Sequence, residues 1–223
     1  MLGRRTTTII THDVLYSQDP YARVMLSGMS RREDVAAVNA AAPDLCGFTV
    51  NWPSSPRSVD RDQLKELVRA LDPTIPAVGV FYDQPLGFVA ELSDEMLDVI
   101  QLQGTEGNPY ITFLRELVDI PIIQAISLRN RKDVERANAS IADLVLLCGG
   151  WGTGVAFDWA LAREVARPYV LAGGISAQNV GRAAQELAPW GFDMNSSLET
   201  NREKDPAKMV AAVAAVRALS SRR

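Results

Sequence analysis

Residues 169–180, YVLAGGISAQNV, decide the fold. Tyr169–Ala172 is a short apolar run without polar alternation, the pattern of a strand buried on both faces. Gly173-Gly174 breaks that run, and a helix-start signal follows at Ser176. The same rhythm extends in both directions from here. Apolar runs at Val24–Ser27, Leu45–Val50, Ala77–Phe81, Val99–Gln103, Ile122–Ser127, Leu144–Cys148 and Phe192–Asn195 read as further buried strands. Helical patterns lie between them. Asp60 stands ahead of RDQLKELVRAL, where Leu64, Leu67, Val68 and Leu71 share one face. Asn108-Pro109 and Asp205-Pro206 each put a proline at the favoured start of a helix, and Ser30, Asp158 and Ser176 are the expected caps of others.

Eight buried strands, each followed by a helix within about 200 residues, predict an α/β fold, a (β/α)8 TIM barrel at the short end of its size range. An open doubly wound sheet is the alternative, but no Gly-rich nucleotide fingerprint follows the first strand. The barrel is expected over residues 23–223 as one domain, preceded by an extension over 1–22. That extension, with TTTIITHDVLYSQDP, shows no helical period and reads as an added strand beneath the barrel or as a loose arm.

Composition sets the bounds on function. The 223 residues are 47% hydrophobic and 22% charged, with a formal net charge of -4. An acidic balance argues against nucleic acid and against a polybasic membrane anchor as partners. No apolar run reaches the ~20 residues of a membrane span. Two cysteines far apart, Cys46 and Cys148, form no disulfide framework, so a reducing, cytoplasmic setting is expected. No His, Cys or carboxylate cluster has metal-ligand spacing, so neither a metal nor another cofactor is expected. The oligomeric state is expected to be a monomer or a homodimer.

In a barrel the chemistry sits where strands end and the following loops begin. Gly173 and Gly174 expose backbone amides ahead of a helix, and Ser196-Ser197 add hydroxyls at the next strand end. Together they read as a phosphate cradle or as tight turns only. Trp52 and Trp151 stand in site loops, where they either line an aromatic pocket or pack on neighbouring loops. His12, the only histidine, lies in the extension.

The pieces SPRSV (55–59), VGVF (78–81), QLQG (101–104), GTGVAFDW (152–159), LAGGISAQNV (171–180) and GFDMNSSLE (191–199) stand in one order, each at a strand end or helix start. In that order the chain resembles the phosphoribosylanthranilate isomerase family of tryptophan biosynthesis, from about Val24 to the C-terminus. The resemblance implies an Amadori rearrangement of an aminoaldose phosphate, with an acid at the ring oxygen and a base at C2. It also implies that Arg57 faces the substrate's carboxylate, a role that suits a guanidinium fork.

The same resemblance locates the departures. The family's base is the cysteine of a Lys-Ile-Cys-Gly motif, which reads Met25-Leu26-Ser27-Gly28 here. Its acid is the aspartate of a Leu-Leu-Asp pattern, which reads Leu146-Leu147-Cys148. Gln103 replaces the histidine of Gln-Leu-His-Gly, and Val155 replaces a lysine. A serine has no useful basicity near pH 7 without a neighbouring base, and each proton-transfer group contributes roughly 10²–10⁴-fold in rate. The expectation is a repurposed isomerase-like enzyme acting on a small anionic substrate, phosphorylated or aromatic, with ordinary Amadori activity weak or absent. Ser27, Cys148 and Asp193 are its candidate catalytic residues; Arg57, Trp52, Gln103 and Asp83 are its candidate substrate contacts. A noncatalytic binding protein, or a true isomerase with relocated acid and base, are the alternatives.

Overall fold

The computed structural model describes Leu15 and residues 22–149 and 159–220. Eight parallel strands close into a barrel. They are β1 (Arg23–Ser27), β2 (Leu45–Val50), β4 (Ala77–Phe81), β5 (Val99–Leu102), β6 (Ile122–Ser127), β7 (Leu144–Cys148), β8 (Tyr169–Leu171) and β9 (Gly191–Met194). Closure is made by β1, which pairs with β2 on one side and β9 on the other. A two-residue strand, β3 (Ser58–Val59), pairs with Thr49 and Val50 and extends the β2 edge beyond the reach of β1. A small hairpin, β10 (Glu199–Thr200) and β11 (Glu203–Lys204), follows β9. These short strands carry too few residues to show a period, and sequence reading passes over them.

The helices are α1 (Arg32–Ala41), α2 (Arg61–Ala70), α3 (Leu86–Met96), α4 (Asn108–Arg115), α5 (Arg131–Ala139), α6 (Trp159–Ala162), α7 (Val180–Leu187) and α8 (Pro206–Ser220). Asp60 caps α2 as expected. Its carboxylate accepts from Gln63 N while the Gln63 side chain accepts from Asp60 N. Two expected caps are corrected. The α1 cap is Arg31 rather than Ser30, because Asp34 reaches back to accept from both Ser30 N and Arg31 N. The α7 cap is Asn179 rather than Ser176; the chain makes a further turn there, with Asn179 bonded to Ser176 N and Gly174 O. Asp158 lies outside the described residues.

Alternate residues of each strand face opposite ways, which gives two apolar sets. Outward residues such as Leu26, Phe48, Phe81, Ile100, Leu147 and Phe192 pack under the helices. Inward residues such as Met25, Leu45, Val78, Val99, Ile123, Leu146 and Val170 fill the barrel. Leu15, from the expected extension, is 5% exposed and joins this inner set. The rest of 1–21, with His12, lies outside the described residues. Polar residues replace apolar ones toward the carboxyl ends of the strands, with Ser27, Thr49, Gln101, Ser127 and Cys148 all buried there.

Candidate active site at the carboxyl-terminal mouth

Ser27 is the last residue of β1, and its side chain enters the barrel beside Gly47 of β2. A Cβ at position 47 would lie 2.5 Å from Ser27 Oγ, so the missing side chain is what gives the hydroxyl room. On the other side, β1 pairs with β9 in a register that sets Met25 opposite Asp193. The diagonal neighbour is Ser27, whose Oγ donates to Asp193 Oδ1 at 2.6 Å. Asp193 keeps part of its surface accessible. Burial of its carboxylate raises its pKa to about 6, against the opposing pull of the Ser27 hydrogen bond and the Lys204 charge. A serine that sequence leaves without a base therefore has one in contact.

Gly28 follows with φ +79°, a left-handed conformation that suits glycine. A Cβ there would meet Asn195 Oδ1 at 2.5 Å and Arg57 Cδ at 2.6 Å. The Arg57 stem thus crosses the backbone next to Ser27. Its fork is already engaged: Nε donates to Glu199 Oε1 at 2.6 Å and an Nη donates to Glu199 Oε2 at 2.8 Å. Burial pushes Glu199 up, but the hydrogen bonds and charges of Arg57 and Lys204 outweigh it and hold its carboxyl below the usual range. Lys204 closes the cluster, with Nζ 3.1 Å from Glu199 Oε1 and donating at 2.9 Å to both Asn195 O and Oδ1. Burial lowers its pKa to about 8 despite Glu199.

Cys148 ends β7, 4% exposed, with Sγ 3.9 Å from Ile126 O. Both cysteines are buried and no disulfide joins them. Gly173 and Gly174 have φ +82° and +72°, and Gly173 lies against Cys148 and Gly149. Ser197 Oγ donates to Ile175 O at 2.6 Å, which ties the loops after β8 and β9 together and occupies the hydroxyl proton expected for an anion. Ser196 is exposed.

Across the mouth, Trp52 stacks on Tyr82 with centroids 4.6 Å apart and planes 1° from parallel. Asp83, at φ +50°, folds over Gly104 and accepts from Thr105 N and Oγ1. Its own amide donates to Glu106 Oε1, whose carboxyl burial raises against the pull of backbone N–H donors. Asp83 thus ties the loop after β4 to the loop after β5. Gln103 accepts from Gln101 Nε2 at 2.6 Å. Sequence reasoning assigns no role to Glu199, Lys204, Glu106 or Tyr82. Glu199 stood in the quoted GFDMNSSLE stretch, but Lys204 lies in a charged run, REKD, that reads as solvated. Trp151, Val155 and most of GTGVAFDW lie outside the described residues.

Fold and site together define a (β/α)8 barrel with a polar mouth at the carboxyl ends of its strands. The family model for N-(5'phosphoribosyl)anthranilate (PRA) isomerase matches residues 25–215. An N-(5'-phosphoribosyl)anthranilate isomerase from Endomicrobium trichonymphae is 32% identical over 200 residues, covering 88% of this chain and 99% of that one. Among solved structures, the phosphoribosyl anthranilate isomerase of Thermus thermophilus superposes with a TM-score of 0.78 at 30% identity, covering 88% of this chain and 99% of that one. A phosphoribosyl anthranilate isomerase solved in complex with reduced 1-(o-carboxyphenylamino)-1-deoxyribulose 5-phosphate superposes at 0.76 with 26% identity, covering 89% and 100%. The chain belongs to the N-(5'-phosphoribosyl)anthranilate isomerase family. No helix among the described residues is long and apolar enough to cross a membrane.

Proposed function

We propose that the chain is an isomerase of N-(5'-phosphoribosyl)anthranilate, or of a near analogue carrying both phosphate and an aromatic carboxylate. Its proton transfer at C2 runs through the Ser27–Asp193 pair. The observation that carries this reading is the 2.6 Å hydrogen bond between the two side chains. As the C2–H bond breaks, its proton passes to Ser27 Oγ and the Ser27 hydroxyl proton passes to Asp193 Oδ1. The C–H electron pair forms the C1–C2 double bond while the C1=N pair of the ring-opened, protonated imine returns to nitrogen, and no free alkoxide accumulates. A carboxylate with a pKa of about 6 is ionised at neutral pH yet basic enough to share a proton there. Cys148, at the acid position implied by the resemblance, places a thiol, a weak proton donor, at the end of β7. Serine–carboxylate relay is a weaker base arrangement than a thiolate, so turnover below that of cysteine-bearing relatives is part of the reading.

The relative solved with the reduced carboxyphenylamino ribulose phosphate supports the substrate class. The left-handed glycines at 173 and 174 support a phosphate near the loops after β8 and β9, held by backbone amides rather than by the Ser197 hydroxyl. A second reading, a binding protein without turnover, is favoured by one observation: the Arg57 fork is taken by Glu199. Fluorescence-monitored turnover of freshly generated phosphoribosylanthranilate, beside a titration with the reduced product analogue, separates the two. Turnover supports the isomerase; saturable binding with no turnover supports the second reading.

A further inference from the structure

Three charged side chains form a chain across the mouth that the proton-transfer reading does not use. Arg57 comes from the loop between β2 and β3, Glu199 from β10 and Lys204 from β11. Their side chains are 26%, 9% and 3% exposed, so exposure falls steadily from Arg57 to Lys204. The two-point contact of Arg57 with Glu199 fixes the plane of the guanidinium and not only its position. Lys204 balances the Glu199 carboxylate and holds Asn195 by both its carbonyl and its side chain. Asn195 and the Arg57 stem in turn share the space over Gly28, beside Ser27. These three carry two cations and one anion among themselves, and the Asp193 carboxylate acts on Lys204 as a further negative charge.

We propose that Glu199 is a positioning residue that holds the Arg57 guanidinium ready for a ligand carboxylate, with Lys204 anchoring Glu199 and the loop after β9 from below. An unheld arginine loses rotamer freedom when a ligand orders it; here the ion pair has fixed the side chain beforehand. The inference rests on the reading of Arg57 as the carboxylate contact. It also opposes the alternative that Glu199 competes with the ligand for the same fork, and the two differ in sign. Removing a competitor strengthens carboxylate binding, and removing a positioning residue weakens it.

The experiment compares two probes by calorimetry. One is the reduced carboxyphenylamino ribulose phosphate, and the other is its phenylamino counterpart lacking the carboxylate. Wild-type protein prefers the carboxylated probe, and Glu199→Gln reduces that preference by roughly 3- to 10-fold, as expected for an immobilised side chain set free. Glu199→Asp, which keeps the charge but shortens the reach, gives an intermediate ratio and serves as the second variant if Glu199→Gln is poorly folded. A purely structural role would weaken both probes equally and leave their ratio unchanged. A ratio that is unchanged or larger in Glu199→Gln overturns the inference while leaving the isomerase reading standing. Wild-type protein that binds neither probe overturns both.

Discussion

Ser27 and Asp193 lie 166 residues apart in the chain and 2.6 Å apart in the barrel. Their contact exists because the first and last barrel strands pair, so closure of the barrel completes the proposed proton-transfer pair. Asp193 must be ionised to take the serine proton, and its pKa is raised to about 6. The kcat/KM profile is therefore expected to fall as pH drops through about 6. Its stability effect has the opposite sense. A carboxyl whose folded pKa is raised holds a proton that the unfolded chain releases, so its contribution to stability declines as pH rises through that window. Asp193→Asn removes this penalty and is expected to raise the unfolding temperature at neutral pH while lowering activity, which a pair of melting curves and an assay will show.

Gly47→Ala is expected to act on chemistry from a neighbouring strand. The added methyl would stand 2.5 Å from Ser27 Oγ and rotate the hydroxyl away from Asp193. Activity should approach that of Ser27→Ala, with destabilisation of about 1–3 kcal/mol from overpacking, read by denaturant unfolding. A variant as active as wild type would show that Ser27 moves without consequence.

The eight barrel strands were legible to within a residue at either end, because a parallel strand buried on both faces is written as an unbroken apolar run. The β10–β11 hairpin was not legible: two-residue strands have no period, and Glu203-Lys204-Asp205 looks like solvated surface. Lys204 is nevertheless buried, since the turn brings Glu199 and Asn195 around its ammonium group. Ser27 and Asp193 could each be named from the resemblance, yet nothing local to either residue announces the other. The resemblance implies that Arg57 faces a ligand; that Glu199 already grips its fork depends on the chain returning after β9.

Lys204 predicts a second pH effect. Burial lowers its pKa to about 8, and the groups facing it are Glu199, Asp193, Arg57 and the Asn195 carbonyl oxygens. Loss of the Lys204 proton leaves Glu199 held by the Arg57 fork alone. Affinity for a ligand that carries the aromatic carboxylate is expected to decline above about pH 8. Calorimetry across that range checks it, and Lys204→Arg should move the decline to higher pH.

Ser27→Cys restores the residue that the family resemblance implies at the base position. A thiol deprotonates far more readily than a hydroxyl, so this variant is expected to turn over phosphoribosylanthranilate faster than wild type near pH 8. An unchanged rate would place the limiting step away from C2.

The most direct test is a double-mutant comparison of kcat/KM for phosphoribosylanthranilate in wild type, Ser27→Ala, Asp193→Asn and the pair together. A shared relay predicts a loss of about 10²–10⁴-fold for each single variant and little further loss in the double. Single variants that retain wild-type turnover, or losses that multiply, would contradict a proton path through Ser27 and Asp193.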